Sequence, residues 1–96
     1  MGYHLTFARR YTKDFKRLSD INKKHVNKAL DELMKDPHYP ALRTKHLHSE
    51  SDLFESSVNM DIRLLWCYQG DEEIEVLEVG HHDVLDRYAH EGRHER

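Results

Sequence analysis

The sequence of 96 residues has one cysteine, two prolines and four glycines that stand apart from one another. The lone Cys67 has no partner for an intramolecular disulfide or for a zinc-binding cysteine pair. The separated glycines form no phosphate-binding loop, and the G-x-S-x-G and H-E-x-x-H patterns are also missing. These absences argue against disulfide scaffolds, P-loop nucleotide binding, and the hydrolases and zinc proteases that carry those two patterns.

Long apolar runs are lacking as well. No stretch approaches the roughly 18 apolar residues that a membrane-spanning helix needs, and 34% of the residues are charged. The N-terminus lacks a basic start followed by an apolar stretch, so we expect a cytoplasmic protein. The length predicts a single domain over residues 1–88 and a polar tail over 89–96. One small core encloses no deep cavity, so any active site should be shallow.

Charge is divided unevenly along the chain. The formal net charge is −3, but residues 1–48 carry 11 Lys and Arg against 5 Asp and Glu, and residues 49–96 carry 4 against 13. The two halves are therefore +6 and −9. A basic segment of this density fits a nucleic-acid surface or an acidic protein partner, and it equally fits a solvated helix face. Nine histidines add side chains that serve as acids, bases or ligands near neutral pH.

Hydrophobic periodicity predicts an α+β fold. Alternation marks a first strand at 3–7, and a helical period over 10–36 indicates two short helices that form a hairpin. Residues 37–52 lack a period and are predicted to be a loop. Three further strands are predicted at 53–58, 61–68 and 74–79. Because the helices precede these strands, we expect an N-terminal strand, a helical hairpin and an antiparallel three-stranded meander, rather than a wound parallel sheet.

The predicted meander gathers polar side chains that could carry chemistry. Asp61 and Arg63 are two apart on a strand and should project from one face. His82 directly follows the last strand and should come close to Arg63. Such a set suits metal-independent RNA cleavage, in which a base removes the 2′-OH proton, a cation stabilises the phosphorane and an acid protonates the leaving 5′ oxygen. The plainer interpretation of Asp61 and Arg63 is a surface ion pair.

Five features follow one another along nearly the whole chain. They are Phe7 in the first strand, the Lys-rich segment 10–35, Lys45-His46-Leu47, Ile62-Arg63-Leu64-Leu65-Trp66 and Gly80-His81-His82. Their order and spacing resemble the RelE/ParE superfamily of toxins from type II toxin–antitoxin systems, and most of all its YafQ-type branch. The resemblance implies an endoribonuclease that cleaves mRNA on the ribosome and inhibits translation. It implies a cognate antitoxin partner and neither a metal nor another cofactor.

The resemblance also assigns roles to single residues. The catalytic candidates that it implies are His82, Asp61, His46 and Arg63. His82 would be the general acid, with Asp61 or His46 as the base, and Arg63 would contact the phosphate. His48 competes with His46 for the loop position, and Tyr88 would stack on a base. The RNA backbone would be held by the basic side chains of Lys13, Lys16, Arg17, Lys23, Lys24, Arg43 and Lys45.

Two departures from the resemblance leave a second interpretation open. The YafQ-type pattern has a histidine where this chain has Ser57, and RelE-type enzymes have basic residues along the strand where it has Glu55. The alternative is a non-nucleolytic ParE-like toxin that inhibits DNA gyrase, or a toxin homologue with an impaired catalytic set. The weakest alternative is a metal ion held by His90 and His94, which stand four residues apart.

Overall fold

The structure, a computed structural model, describes residues 2–47 and 52–82. The elements in chain order are β1 (His4–Phe7), α1 (Arg9–Lys16), α2 (Asp20–Lys35), a 3₁₀ turn (Pro40–Leu42), β2 (Lys45–His46), β3 (Phe54–Ser57), β4 (Ile62–Gly70) and β5 (Glu73–His81). The predicted α+β class, with its helical hairpin and three-stranded meander, is confirmed. In the described part of the chain, no helix is long and apolar enough to cross a membrane.

All five strands form one sheet in the order β1-β5-β4-β3-β2. The meander of β3, β4 and β5 is antiparallel, and β1 pairs in parallel with the first half of β5. The prediction of a loop throughout 37–52 is wrong at Lys45 and His46, which form a short edge strand on β3. A two-residue strand has too few positions to show alternation. It forms because β3 has an open edge and Leu47 donates its N–H to the Leu53 carbonyl at 3.0 Å.

One irregularity in the pairing of β4 with β5 sets which side chains share a face. Leu65 pairs with Glu78, but the next residue, Trp66, pairs with Val76, so Leu77 is the extra residue of a β-bulge. Because side chains alternate along a strand, one extra residue exchanges the two faces of β5 beyond that point. Val76 and Val79 therefore both point into the core, and Glu78 lies on the opposite face.

The helices cover one face of the sheet. Ser19 begins α2 by accepting a hydrogen bond from the Asn22 N–H at 3.2 Å, which is the capping arrangement that helix starts favour. The core side chains are Tyr11, Val26, Ala29, Leu33, Leu42, Ile62, Leu64, Trp66, Ile74, Val76 and Val79. Burial raises the pKa of Tyr11 to about 12. The helical period predicts an apolar stripe on α2 made of Val26, Ala29, Leu30, Leu33 and Met34. These residues pack in or against the core except Met34, which is 38% exposed.

A buried chain of hydrogen bonds ties the sheet to the loop after α2. The Trp66 indole N–H donates to Ser56 Oγ at 2.9 Å, and Ser56 Oγ lies 2.6 Å from Thr44 Oγ1. The Thr44 hydroxyl donates to the Pro37 carbonyl at 2.6 Å, because a carbonyl can only accept. The proton of Thr44 is thus used, so Ser56 must donate to Thr44. Every member of the chain is satisfied, which makes a buried serine beside Trp66 stabilising rather than costly.

We predict that Ser56→Ala lowers the free energy of unfolding by about 1–3 kcal/mol, because the Trp66 indole N–H then has no acceptor in a dry site. Urea denaturation followed by tryptophan fluorescence measures the change. The control is Ser57→Ala, which removes the same hydroxyl from the neighbouring, partly exposed position. Equal stabilities for the two variants would contradict the account of Ser56.

Candidate functional site

The start of β4 and the end of β5 bring three predicted residues to one corner of the sheet. His82 donates its backbone N–H to the Asp61 carbonyl at 3.0 Å, and Arg63 pairs with Gly80. Directly opposite residues on antiparallel strands have Cα atoms roughly 5 Å apart. Gly80 leaves open space beside Arg63, since a Cβ there would meet no atom of residues 2–47 and 52–82 within 4 Å. Asp61 and His82 are both exposed, so a ligand can approach the corner from solvent.

The guanidinium group of Arg63 is held in place by backbone carbonyls. Its Nη1 donates to the backbone carbonyl oxygen of Asn59 at 2.6 Å, and to the backbone carbonyl oxygens of Met60 and Ile62 at 3.2 Å each. In residues 2–47 and 52–82, no carboxylate forms an ion pair with Arg63. The predicted plain ion pair with Asp61 is therefore not formed. The remaining guanidinium donors keep a fixed direction, which suits recognition of a phosphate or carboxylate.

Asn59 organises the turn that carries these residues. Its Oδ1 accepts the backbone N–H groups of Asp61 and Ile62, each at 2.9 Å. Its Nδ2 donates to Asn22 Oδ1 at 3.1 Å and to His25 Nδ1 at 3.0 Å, which links the turn to α2. Since an amide nitrogen only donates, His25 Nδ1 accepts, and the ring is in the tautomer with its proton on Nε2. Asn59 and Met60 are predicted from the sequence to form the tight turn between β3 and β4, but the hydrogen bonds of the Asn59 side chain have no signal in the sequence.

Two adjoining depressions flank this turn. The first, of about 350 Å³, is lined by Arg43 and Arg63 together with Ser57, Asn59 and the apolar Ala41, Val58 and Met60. The second, of about 290 Å³, lies toward α2 and is lined partly by His25, Lys28 and Glu32. Both are open and shallow, as the size of the domain predicts. Among the described residues, the lining of the first has two arginines and no acidic side chain, so it favours anions.

Two acidic side chains lie on the sheet face opposite the helices, on either side of the buried Leu65. Glu55 is 7% exposed and 3.4 Å from Lys45 Nζ, and Glu78 is 4% exposed and 3.9 Å from Arg10 Nη2. Each carboxylate therefore has a cation beside it. Both cations are well exposed, so water weakens these pairs, and their main effect is to offset negative charge on the sheet.

The structure does not bring His46 to this corner. His46 pairs with Phe54, which pairs with Trp66, whereas Ile62 lies four residues earlier on β4. Strand rise and strand spacing put the Cα atoms of His46 and Ile62 roughly 17 Å apart. The His46 ring stacks on Phe54 with centroids 4.8 Å apart, on the face that packs against the helices. His46 and Arg63 thus lie on opposite faces and cannot reach one phosphate together.

The other predicted residues divide into three groups. Lys13, Lys16, Arg17, Lys24 and Arg43 are exposed. Lys23 lies over the Phe15 ring at 5.7 Å, and Lys45 faces Glu55. His48, Tyr88, His90 and His94, and the tail at 89–96, lie outside the described residues.

The described residues favour neither a metal site nor a cysteine nucleophile. No three His, Cys, Asp or Glu side chains within 2–47 and 52–82 are placed to hold a metal ion. Burial raises the pKa of the Cys67 thiol, which works against the thiolate that a cysteine nucleophile requires. The corner of Asp61, Arg63 and His82 is therefore the candidate site.

Solved structures with this architecture include toxins from toxin–antitoxin systems. The archaeal RelE–RelB complex from Pyrococcus horikoshii matches with a TM-score of 0.71 and 18% identity, over 84% of this chain and 96% of that chain. The RelBE2 toxin–antitoxin complex from Mycobacterium tuberculosis matches with 0.70 and 24% identity, over 84% and 99%. YafQ from Escherichia coli matches with 0.63 and 19% identity, over 86% and 97%. The chain has the fold of the RelE-type toxins.

The likeness is one of structure rather than of sequence. No protein-family model and no curated protein sequence matches the chain. The expected RelE/ParE-like fold is therefore established by architecture alone. YafQ does not match better than the two RelE-type complexes, so the predicted YafQ-type branch is not singled out.

We predict that Asn59→Ala lowers the free energy of unfolding by about 1–3 kcal/mol, because the N–H groups of Asp61 and Ile62 lose their acceptor. Nuclear magnetic resonance should show shifted amide signals for Asp61 and Arg63. Asn27→Ala, an exposed asparagine on the same helix as His25, is the matched control and should change neither quantity. Unchanged amide signals in the Asn59 variant would show that the turn holds its shape without this side chain.

Proposed function

We propose that this chain is the toxin of a toxin–antitoxin pair and that it cleaves RNA without a metal ion. The observation that carries the proposal is the meeting of Asp61, Arg63 and His82 at one solvent-open corner, where Gly80 leaves space beside the arginine. The RelE-type fold supports the toxin role, since structures of that fold include complexes of a toxin with its antitoxin. Messenger RNA on the ribosome is the substrate that the sequence resemblance implies.

The proposed reaction uses the ribose 2′-OH of RNA as the nucleophile. Asp61 removes the 2′-OH proton, and the 2′ oxygen attacks the adjacent phosphorus. Arg63 stabilises the negative charge that develops on the phosphorane, in the manner of a preorganised cation. The bond from phosphorus to the 5′ oxygen then breaks, and His82 gives that oxygen a proton. The products are a 2′,3′-cyclic phosphate and a free 5′-OH.

The remaining predicted residues have supporting roles in this proposal. The hairpin residues that the resemblance assigns to RNA binding attract RNA or ribosomal phosphates, and this attraction weakens with salt. They are Lys13, Lys16, Arg17, Lys23 and Lys24. Tyr88 stays a prediction as a base-stacking residue, and His48 stays a predicted competitor of His46. His46 receives no proton-transfer role, because its place on the far edge of the sheet separates it from Asp61 and His82.

The proposed antitoxin has a surface on which to bind. A groove of about 450 Å³ between β1 and α2 is lined by apolar side chains that include Phe7, Leu30 and Met34, and Phe7 is 45% exposed. β1 is the end strand of the sheet, so its outer edge offers backbone groups to an added strand. We infer that apolar side chains of the antitoxin fill this groove and that its acidic side chains face the basic helices.

We predict that His82→Ala lowers the rate of RNA cleavage by roughly 100-fold or more, because the leaving oxygen loses its proton donor. Arg63→Gln should lower the cleavage rate by a similar factor. Asp61→Asn should slow the attack of the 2′ oxygen on phosphorus. Primer extension on cellular mRNA after induction of each variant maps the cuts. The control is His81→Ala, which removes the adjacent histidine at the exposed end of β5 and should leave the cuts in place.

The alternative function gives a different result in the same cells. Intact transcripts together with inhibited DNA supercoiling would contradict the nuclease and favour the gyrase-directed toxin. Cuts that persist in the His82 variant at the rate of the unmodified chain would contradict the role assigned to His82 while leaving the nuclease in place.

A further inference from the structure

We propose that the depression formed by Arg43, Ser57 and Arg63 binds a second phosphate of the RNA, next to the one that is cleaved, and that Met60 and Val58 contact the attached nucleoside. The inference rests on the proposed RNA substrate and goes beyond it by placing the neighbouring nucleotide. It gives Arg43 a specific partner, where the sequence suggests only a general attraction to the RNA backbone.

The contacts of β3 bring the two arginines to the same end of the sheet. Ser57 pairs with Arg63. Thr44, the residue after Arg43, has its Oγ1 2.6 Å from the Oγ of Ser56, the residue before Ser57. Both side chains line one open depression, so a phosphate above Ser57 is within reach of two cations.

The two arginines of this depression have no acidic partner in the part of the chain that the structure describes. In the described segments 2–47 and 52–82, neither Arg43 nor Arg63 forms an ion pair with a carboxylate. Two neighbouring guanidinium groups repel each other, and an anion between them relieves that repulsion. Arg63 also borders the corner with His82, so one arginine can contact the cleaved phosphate and the next phosphate in the chain.

The backbone at Arg43 points to a requirement for its side chain. Arg43 has a φ of 48° and is in the left-handed region, where it ends the 3₁₀ turn at Leu42. A residue with a Cβ is strained there, and glycine is not. Strain of this kind is found most often at functional sites. An arginine in a position that favours glycine is consistent with a side chain that binds a ligand.

Apolar side chains complete the depression. Met60 is 87% exposed at the tip of the turn, and Val58 and Ala41 lie in the same lining. A methionine with so much exposed surface gains by covering a flat apolar group. A nucleotide provides both parts of the match, a phosphate for the arginines and a base for the methionine. Inorganic phosphate provides only the first.

The test measures binding separately from cleavage. The probes are a 2′-O-methyl hexauridylate, which lacks the 2′-OH nucleophile, and inorganic phosphate. Arg43→Gln should weaken binding of the hexauridylate by about tenfold. It should also make the slope of log affinity against log salt concentration shallower by about 0.7, as expected for one lost phosphate contact. Arg9→Gln is the matched control, because Arg9 is an exposed arginine next to the opposite edge of the sheet, and it should bind as the unmodified chain does.

Two further variants separate a binding role from a structural one. Arg43→Gly should raise or preserve the midpoint temperature of unfolding, since glycine relieves the backbone strain. It should nevertheless weaken binding of the hexauridylate as much as Arg43→Gln does. Met60→Ala should weaken binding of the hexauridylate and leave the affinity for inorganic phosphate unchanged.

Equal affinities for Arg43→Gln and Arg9→Gln would overturn the second phosphate site, even if the chain cleaves RNA. Binding that depends on Arg43 in a chain that cuts no RNA would keep the site and overturn the nuclease. An unchanged affinity in the Met60 variant would overturn the assignment of the nucleoside to this depression.

Discussion

The bulge at Leu77 is the constraint on which the candidate site depends. It shifts the pairing of β4 with β5 by one residue, so that Arg63 lies opposite Gly80 and Asp61 lies opposite His82. With an unbroken register, Arg63 would face the bulky Val79, and His81 would take the place of His82. The open space beside Arg63 and the identity of the histidine at the corner both follow from one extra residue in β5.

The arrangement of charge is consistent with an anionic substrate, although the second half of the chain is strongly acidic in sequence. Glu55 and Glu78, the buried acids on the sheet face opposite the helices, each lie beside a basic side chain. The arginines at the turn, by contrast, have no acidic partner among the described residues. Net charge per half of the sequence therefore does not locate the positive charge, because the arrangement in space decides which cations have an acidic neighbour.

Much of the fold could be predicted from the sequence because its signals are local. Alternation at Ile62, Leu64 and Trp66 and the helical period of α2 reflect burial that repeats along one element. Other features depend on contacts between distant segments and have no local signal. The edge strand at Lys45 and His46 needs β3 beside it, and the burial of Ser56 needs both Trp66 and Thr44 as partners.

The candidate site could be predicted only in part. The sequence predicts a meander, and a meander brings Asp61, Arg63 and His82 close together. The sequence alone does not show that His46 lies on the other face or that Asn59 fixes the turn. The most direct test of the proposed chemistry is the end groups of mRNA fragments that the purified chain produces in the presence of ribosomes. The account predicts fragments with 2′,3′-cyclic phosphate and 5′-OH ends. Fragments with 3′-OH and 5′-phosphate ends would contradict it.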